Sequence, residues 1–154
     1  MQSTILEHWH YQADISSASL VLPDGCQDLI LHCPVDSKPH WFVSELYDQA
    51  KMSFSSAGST MYGWRLQPGV RIHTKKLLAS VNENLSLDTI EDCINDNVTM
   101  QSSVKEAIEC IRDEDNALPV VAKQLGVSVR TLQRLLLKET GKTCLLYTSD
   151  AADD

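Results

Sequence analysis

The segment from Leu118 to Gly141 constrains the fold of this chain most, because two periodic apolar stretches flank a short turn in it. Leu118, Ala122 and Leu125 recur at three- and four-residue spacing, which is typical of one face of a helix. Gly126 follows directly, and glycine is the residue that most readily ends a helix in the left-handed conformation. The pattern therefore predicts a short helix that ends at a glycine turn.

A second helix is predicted directly after this turn. Ser128 occupies the N-cap position, and the apolar stripe of the helix then consists of Leu132, Leu135 and Leu136. Side chains rich in hydrogen-bond donors lie between these leucines, of the type that contacts base edges and phosphates. They are Arg130, Thr131, Gln133, Arg134 and Lys138. Two helices joined in this way form a helix-turn-helix, which can place its second helix in the major groove of DNA.

Charge is distributed unevenly along the chain. The net charge of −8 argues against a nucleic-acid partner when it is taken alone. However, residues 1–98 contain six Lys/Arg and twelve Asp/Glu, whereas residues 116–143 contain five Lys/Arg and one Glu. The local balances are thus −6 and +4. Because attraction to phosphate acts over about 8 Å at physiological salt, the local balance matters more than the total. This asymmetry predicts an acidic sensor joined to a module that faces DNA.

Three segments of the basic region carry a family resemblance. Ala122–Ser128 (AKQLGVS), Leu132–Leu135 (LQRL) and Lys138–Thr143 (KETGKT) together resemble the first helix-turn-helix of AraC/XylS-type transcriptional regulators. The similarity covers about residues 99–143. It implies a cytoplasmic transcription regulator that binds double-stranded DNA sequence-specifically and responds to a small-molecule effector of unknown identity.

The last eleven residues, 144–154, depart from this pattern. Family members usually continue through a long helix into a second helix-turn-helix, whereas here the sequence becomes an acidic run of small residues. It resembles a translated sequencing adapter, so we expect an artefactual tail; a native, disordered acidic tail is the alternative. On this hypothesis the chain is a truncated fragment that binds DNA weakly.

The N-terminal region is rich in β-favouring runs. Strands are predicted at residues 4–11, 18–22, 28–32, 41–46 and 60–66, and the Ser/Gly-rich segment 53–59 is predicted to be a connection. Pro23–Gly25 predicts a hairpin turn between the second and third strands, and helices are predicted near 70–80, 86–94 and 100–112. The expected fold class is α+β. The expected parts are a β-rich domain with a helical connector (1–97), an all-α helix-turn-helix subdomain (99–143) and the tail (144–154).

Two further motifs resemble the N-terminal domain of a subset of the same regulators. They are Val21–Ile30 (VLPDGCQDLI) and Gly63–Gly69 (GWRLQPG), and they occur in this order ahead of the helix-turn-helix. The resemblance implies a β-rich sensor domain, for which a cupin-like architecture is one form, and it leaves homodimerisation open.

The second predicted helix provides the candidate DNA-binding residues, which are Ser128, Val129, Arg130, Thr131, Gln133, Arg134 and Lys138. We expect Ser128 to cap the helix near a phosphate. Val129, Arg130 and Gln133 are expected to face bases, with Arg130 suited to guanine and Gln133 to adenine. The remaining three would fix the register through the DNA backbone or through packing within the protein. The core between the helices is predicted to consist of Leu118, Ala122, Leu125, Val127, Leu132 and Leu136.

Several side chains of the N-terminal region could form other sites. His8 and His10 share one face of a predicted strand and could ligate a metal together with Cys26, His32 or Cys33, although no pair has zinc-finger spacing. Arg65 could bind an acidic ligand, but pairing with nearby acidic residues is favoured. Asp24 and Asp28 could border a pocket, whereas the favoured interpretation is that Asp24 caps a turn.

The sequence contains few features that would indicate a catalytic site. It contains no glycine-rich phosphate loop and no nucleophile elbow, and its five cysteines lack paired motifs and an activating context. We therefore expect no enzyme, no cofactor and no metal. No run of about 18 apolar residues and no secretory leader is present, so no membrane association is expected. A metal-binding cupin-like enzyme and a protein-interaction module remain the alternative functions.

Overall fold

The computed structural model describes residues 3–83, 86–112 and 117–141. Its strands are β1 (Ile5–Gln12), β2 (Ser17–Val21), β3 (Asp28–Cys33), β4 (His40–Val43), β5 (Lys51–Ser55), β6 (Thr60–Leu66), β7 (Val70–Ile72) and β8 (Val98–Met100). Its helices are α1 (Thr74–Glu83), α2 (Ile90–Asp96), α3 (Ser102–Arg112), α4 (Leu118–Gln124) and α5 (Val129–Thr140), with a 3₁₀ turn at Leu87–Thr89. The fold class is α+β, as the sequence predicts.

The strands pair in three antiparallel groups. The main sheet has four strands in the order β1-β6-β3-β4, while β2 and β5 form a separate two-stranded ribbon. The short strands β7 and β8 pair with each other, on either side of α1 and α2 in the sequence. The central strands of the main sheet are therefore β6 and β3. The first N-terminal motif ends in β3, and the second begins in β6.

One face of the main sheet packs against α1 and α2. Side chains alternate between the two faces of a strand, so Trp64 and Leu66 of β6 are buried on this face whereas Arg65 lies on the other. The main core cluster on the helix side consists of Ile5, Leu29, Trp64, Leu66, Val70, Leu77, Val81, Ile90, Cys93, Ile94 and Val98. The opposite face of the main sheet lines a cavity between this sheet and the β2–β5 ribbon.

A shift in register at the start of β1 adjusts this alternation. Ile5 pairs with Leu66 and Glu7 pairs with Arg65, so two steps along β1 match one step along β6. An extra residue of this kind is a β-bulge, which changes the face to which the following side chains point. As a result Ile5 joins the core on the helix side, although Glu7 lies beside Arg65.

Helices α3, α4 and α5 form a second core cluster. Its buried members are Val104, Ala107, Ile108, Ile111, Val121, Ala122, Leu132 and Leu136. Three of these residues, Ala122, Leu132 and Leu136, belong to the predicted core between the two helices of the helix-turn-helix, which is confirmed for them. Leu118 and Leu125 are only partly buried against this cluster. The prediction for Val127 is wrong, because it lies in the turn and is 38% exposed, while Val121 is buried in its place.

The two core clusters meet at the start of β7. Met100 packs against both clusters. Gly69 has a φ of +84°, and a Cβ atom there would lie 2.7 Å from Cγ1 of Val104. A larger residue would push α3 away from β7, so this glycine permits the close packing of the helical unit on the β-rich part.

Three strands differ from the predictions. β5 occupies Lys51–Ser55, part of which was predicted to be a connection, because its backbone pairs with β2 in spite of its Ser-rich composition. β7 lies where a helix was predicted, and that helix begins only at Thr74. β8 falls between two predicted helices. Both short strands owe their conformation to pairing with each other across 25 residues of helix and turn, which no local pattern indicates.

The predicted hairpin at Pro23–Gly25 is also wrong. β2 pairs with β5, whereas β3 pairs with β4 and β6. The local turn chemistry is nevertheless present, since Asp24 Oδ1 accepts a hydrogen bond of 2.9 Å from the Cys26 amide and Gly25 has a φ of +76°. The turn redirects the chain from the ribbon into the main sheet.

Some predictions lie outside the described residues. These are residues 113–116, which the sequence predicts to connect the third predicted helix to the helix-turn-helix with Asn116 as N-cap, and the segment 142–154, which includes the tail. Among the helices that the structure does describe, none has both the length and the apolarity that a bilayer crossing requires.

Candidate functional site

The turn between α4 and α5 is closed by two backbone hydrogen bonds. The amide of Val127 donates to the carbonyl of Ala122 at 2.9 Å. The amide of Gly126 donates to the carbonyl of Lys123 at 3.2 Å. This pair of bonds around a left-handed residue is the Schellman motif. Gly126 has a φ of +67°, and a Cβ atom there would meet no other atom of the described residues within 4 Å, so backbone conformation alone favours glycine here.

Helix α5 is capped at both ends. Ser128 has extended backbone angles, and its Oγ accepts a hydrogen bond of 3.2 Å from the Thr131 amide, which confirms the predicted N-cap. At the other end Gly141 adopts a left-handed φ of +65° and its amide donates to the carbonyl of Leu137 at 2.9 Å. These caps fix the helix start directly after the turn, so its first exposed side chains have a defined position.

The seven candidate DNA-binding residues divide between surface and interior. Six are exposed: Ser128, Arg130, Thr131, Gln133, Arg134 and Lys138. Val129 is only partly exposed and packs against the core of the helical unit. Leu132 and Leu136 are fully buried, and therefore the exposed donors lie on the side of α5 that faces away from α3 and α4.

The exposed side of α5 is positively charged. Residues 117–141 contain four Lys/Arg and one Glu, a balance of +3. That single acidic residue, Glu139, pairs with Arg71 of β7. Within the described ranges Arg130, Arg134 and Lys138 have no carboxylate partner within 4.0 Å. Their charge is therefore available to an anionic partner.

A second candidate site is a cavity of about 610 Å³ between the main sheet and the β2–β5 ribbon. Small-molecule sites typically have volumes of about 300–1,000 Å³. Its apolar lining comprises Trp9, Val21, Leu22, Ile30, Phe42, Met52, Phe54 and Met61. Its polar lining comprises Asp24, Cys26, Asp28, His32, His40, Ser44, Tyr47, Lys51, Ser53 and Arg65.

Asp28 and Arg65 form the polar floor of this cavity. Arg65 Nε donates to Asp28 Oδ1 at 3.2 Å, and Trp9 Nε1 donates to Asp28 Oδ2 at 3.0 Å. Asp24 Oδ2 lies 3.4 Å from Arg65 Nη1. Burial opposes the charge of Arg65, but the hydrogen bond and charge of Asp28, together with Asp24, raise the pKa of the guanidinium. Arg65 thus pairs with acidic neighbours, as the sequence favoured.

The two N-terminal motifs therefore meet at one place. Asp24 and Asp28 come from the first motif and Arg65 from the second, 37 residues after Asp28. Gly63 of the second motif lies opposite Trp9, and a Cβ atom on Gly63 would come within 1.9 Å of the indole ring. The missing side chain lets the indole lie across β6 and reach Asp28. The sequence patterns did not identify Trp9 as a site residue. Trp9 alternates with His8 and His10 along β1, so it lies on the opposite face of the sheet from them, which is the face of Arg65.

Two other titratable groups of the cavity are neutral near pH 7. Burial, followed by the charge of Asp24, raises the pKa of the Cys26 thiol to about 11. Because the thiolate is the nucleophilic form, Cys26 is a poor nucleophile. Burial and the neighbouring His40 lower the pKa of His32 from 6.5. At this pH Cys26 and His32 therefore add no charge to the cavity.

The histidines considered as metal ligands lie in two different places. His8 and His10 border a shallow groove on the helix side of the sheet, where His8 Nε2 lies 3.2 Å from Glu91 Oε1 and the His10 ring stacks on Tyr62. His32 lines the cavity on the opposite face. In the part of the chain that the structure describes, no three His, Cys, Asp or Glu side chains are placed to hold a metal ion together.

No family model, curated protein or solved structure matches this chain.

Proposed function

We propose that this chain is a ligand-responsive transcription regulator of the AraC/XylS type that binds double-stranded DNA through α5. The observation that carries this proposal is the exposed basic face of α5, which has no ion-pair partner among the described residues apart from Glu139 with Arg71, next to a tight, doubly hydrogen-bonded turn. An ordinary helical hairpin also buries leucines, but it does not need a capped helix start that presents several donors to one side. The family resemblance of the same residues supports the proposal.

The dimensions of α5 suit the major groove of DNA. An α-helix with its side chains is about 10–12 Å in diameter, and the major groove is about 12 Å wide. Arg130 lies in the first turn of α5 and Gln133 follows at the three-residue spacing of one helix face. They are proposed to contact base edges. Ser128 and the free amides of the first turn would contact a phosphate, since a helix N-terminus attracts anions.

The remaining exposed residues are proposed to fix the position of the helix on DNA. Thr131, Arg134 and Lys138 carry donors that suit phosphate oxygens. Val129 is proposed to contribute mainly by packing, because it rests partly on the core of the helical unit. Specificity would then depend chiefly on Arg130 and Gln133.

The β-rich part is proposed to be the ligand-sensing domain, of a cupin-like kind. It supplies a cavity of suitable volume between a sheet and a facing ribbon, and the two motifs of the family resemblance meet at the floor of that cavity. The cavity lacks an activated nucleophile and a metal-ligand cluster among the described residues, which favours binding over catalysis.

Titration of labelled duplex DNA at several salt concentrations tests the proposal. We expect an affinity near ~10⁻⁴–10⁻⁶ M for random-sequence DNA that falls steeply with salt, because released counterions drive such binding. Arg134→Ala should weaken binding and reduce the salt dependence. The matched control is Lys76→Ala, which removes an exposed cation of α1, outside the proposed interface. Equal losses for the two variants, or affinity independent of salt, would favour the protein-interaction alternative.

A further inference from the structure

Arg65 is not available to an acidic ligand. Its Nε and Nη2 atoms face Asp28, and its Nη1 atom lies 3.4 Å from Asp24 and 4.0 Å from Glu7. Each side of the guanidinium therefore already has a carboxylate. An anionic ligand would have to displace one of them and would meet the repulsion of the others.

Three carboxylates around one guanidinium leave an excess of negative charge. Asp28 is nearly buried and takes hydrogen bonds from both Arg65 and Trp9, so its charge is satisfied. The side chain of Asp24 is 42% exposed and lines the cavity. Lys51, at the edge of the same cavity, does not offset this charge because its Nζ is 3.0 Å from Glu45 Oε2. Of the two carboxylates that line the cavity, Asp24 is thus the one with exposed surface for a ligand, which would share it with the Cys26 amide on Oδ1 and with Arg65 near Oδ2.

The walls of the cavity provide aromatic faces for the rest of a ligand. Trp9, Phe42 and Phe54 line it, together with aliphatic and Met side chains, whereas the ring of Tyr47 already has Lys51 Nζ 4.8 Å from its centroid. Aromatic faces attract cations because of the negative potential over the ring. Near pH 7 neither His32 nor Cys26 adds a charge to this wall, because burial lowers the pKa of His32 and raises the pKa of Cys26.

We propose that the cavity binds a small organic cation, an apolar or aromatic body that carries one ammonium-type group, with the cationic group at Asp24. The body would lie between the main sheet and the β2–β5 ribbon, against Trp9 and Phe42. This assignment rests on the proposed role of the β-rich part as a ligand sensor and names the chemical class of the effector. It does not depend on DNA binding by α5.

Three probes that share a phenethyl body and differ in charge test the assignment. They are phenethylammonium, phenethyl alcohol and phenylpropionate, and their binding to the full chain can be measured by calorimetry and by tryptophan fluorescence. We expect the cation to bind about tenfold more tightly than either of the others, since an ion pair and a cation–π contact both favour it. Equal or tighter binding of the neutral or anionic probe would overturn the assignment, as would failure of all three at millimolar concentration.

Asp24→Asn separates the charge of Asp24 from its structural role. The asparagine oxygen can still accept the hydrogen bond from the Cys26 amide, so the turn should be kept. We expect this variant to lose the preference for the cation, whereas Asp36→Asn, which neutralises an exposed carboxylate away from the cavity, should retain it. An unchanged preference in Asp24→Asn would contradict the proposal. Since no DNA is present, the result is independent of the duplex titration.

Discussion

Arg71 on β7 and Glu139 on α5 form a bidentate ion pair between residues 68 positions apart in the sequence. Arg71 Nε donates to Glu139 Oε2 at 2.7 Å, and Arg71 Nη2 contacts Glu139 Oε1. The Glu139 side chain is only 5% exposed. Two residues after Glu139, a Cβ atom on Gly141 would lie 3.2 Å from Leu46 Cγ, so the backbone of Gly141 is close to the Leu46 side chain. The end of α5 is therefore held against the β-rich part at two points.

The Arg71–Glu139 pair should make stability depend on pH. The hydrogen bond from Arg71 lowers the pKa of Glu139 below 4.5, although burial opposes this. A carboxyl group with a lowered folded-state pKa stabilises the fold above its unfolded pKa and loses this contribution as the pH falls through the folded value. We therefore expect Arg71→Met to lower the melting temperature at pH 7, with the difference from wild type vanishing in acid.

Lys76→Met serves as the control for this measurement, because Lys76 is an exposed cation of α1 with no ion-pair partner among the described residues. Its melting temperature should follow that of the wild type at each pH. If the difference in melting temperature between Arg71→Met and wild type stayed the same down to acid pH, the Arg71–Glu139 pair would not be its cause.

Leu132→Ala and Gln133→Ala should differ strongly in stability. Leu132 is fully buried between α3, α4 and α5, whereas the neighbouring Gln133 is exposed. Truncation of a buried leucine costs about 2–5 kcal/mol, while an exposed substitution usually changes stability by less than about 0.5 kcal/mol. Thermal or denaturant unfolding of both variants measures the difference. Equal shifts would mean that the phase of α5 differs from that described.

Arg130→Ala should relax base preference at one position of a DNA site. A bidentate contact to guanine contributes about 1–3 kcal/mol of discrimination. Lys138→Ala is the comparison, because a phosphate contact should weaken all sequences alike and reduce the salt slope by about one. Affinities for a selected site and its single-base variants distinguish the two. A uniform loss in Arg130→Ala would make Arg130 a phosphate contact instead.

Gly63→Ala should disturb the floor of the cavity. The added methyl group would overlap the indole of Trp9, so the ring must move away from Asp28. We expect Trp fluorescence to shift and binding of phenethylammonium to weaken. Gly126→Ala provides the contrast: its cost is the strain of a left-handed φ, about 1–2 kcal/mol, at a site with no neighbour within 4 Å. Its Trp fluorescence should be unchanged, and a shift in both variants would reflect general loosening.

The elements that could be predicted from the sequence are those set by interactions over a few residues. The helix end at Gly126, the N-cap at Ser128 and the apolar stripe of α5 each depend on residues one turn apart or less. The basic face of α5 followed from the same spacing. The capping of a turn by Asp24 was also predicted, and the hydrogen bond that the Cys26 amide donates to Asp24 is likewise local.

The pairings between distant segments were decided by the tertiary structure. β2 could have paired with β3, its neighbour in the sequence, but it pairs with β5. The contacts of Trp9 with Gly63 and of Arg71 with Glu139 join residues more than 50 positions apart, and neither position has a local signal for its partner. The free energy of such pairings comes from the surface that the whole fold buries together. For this reason the sequence determined the shape of α5 and the charge it carries, whereas the cavity and the docking of α5 required the assembled fold.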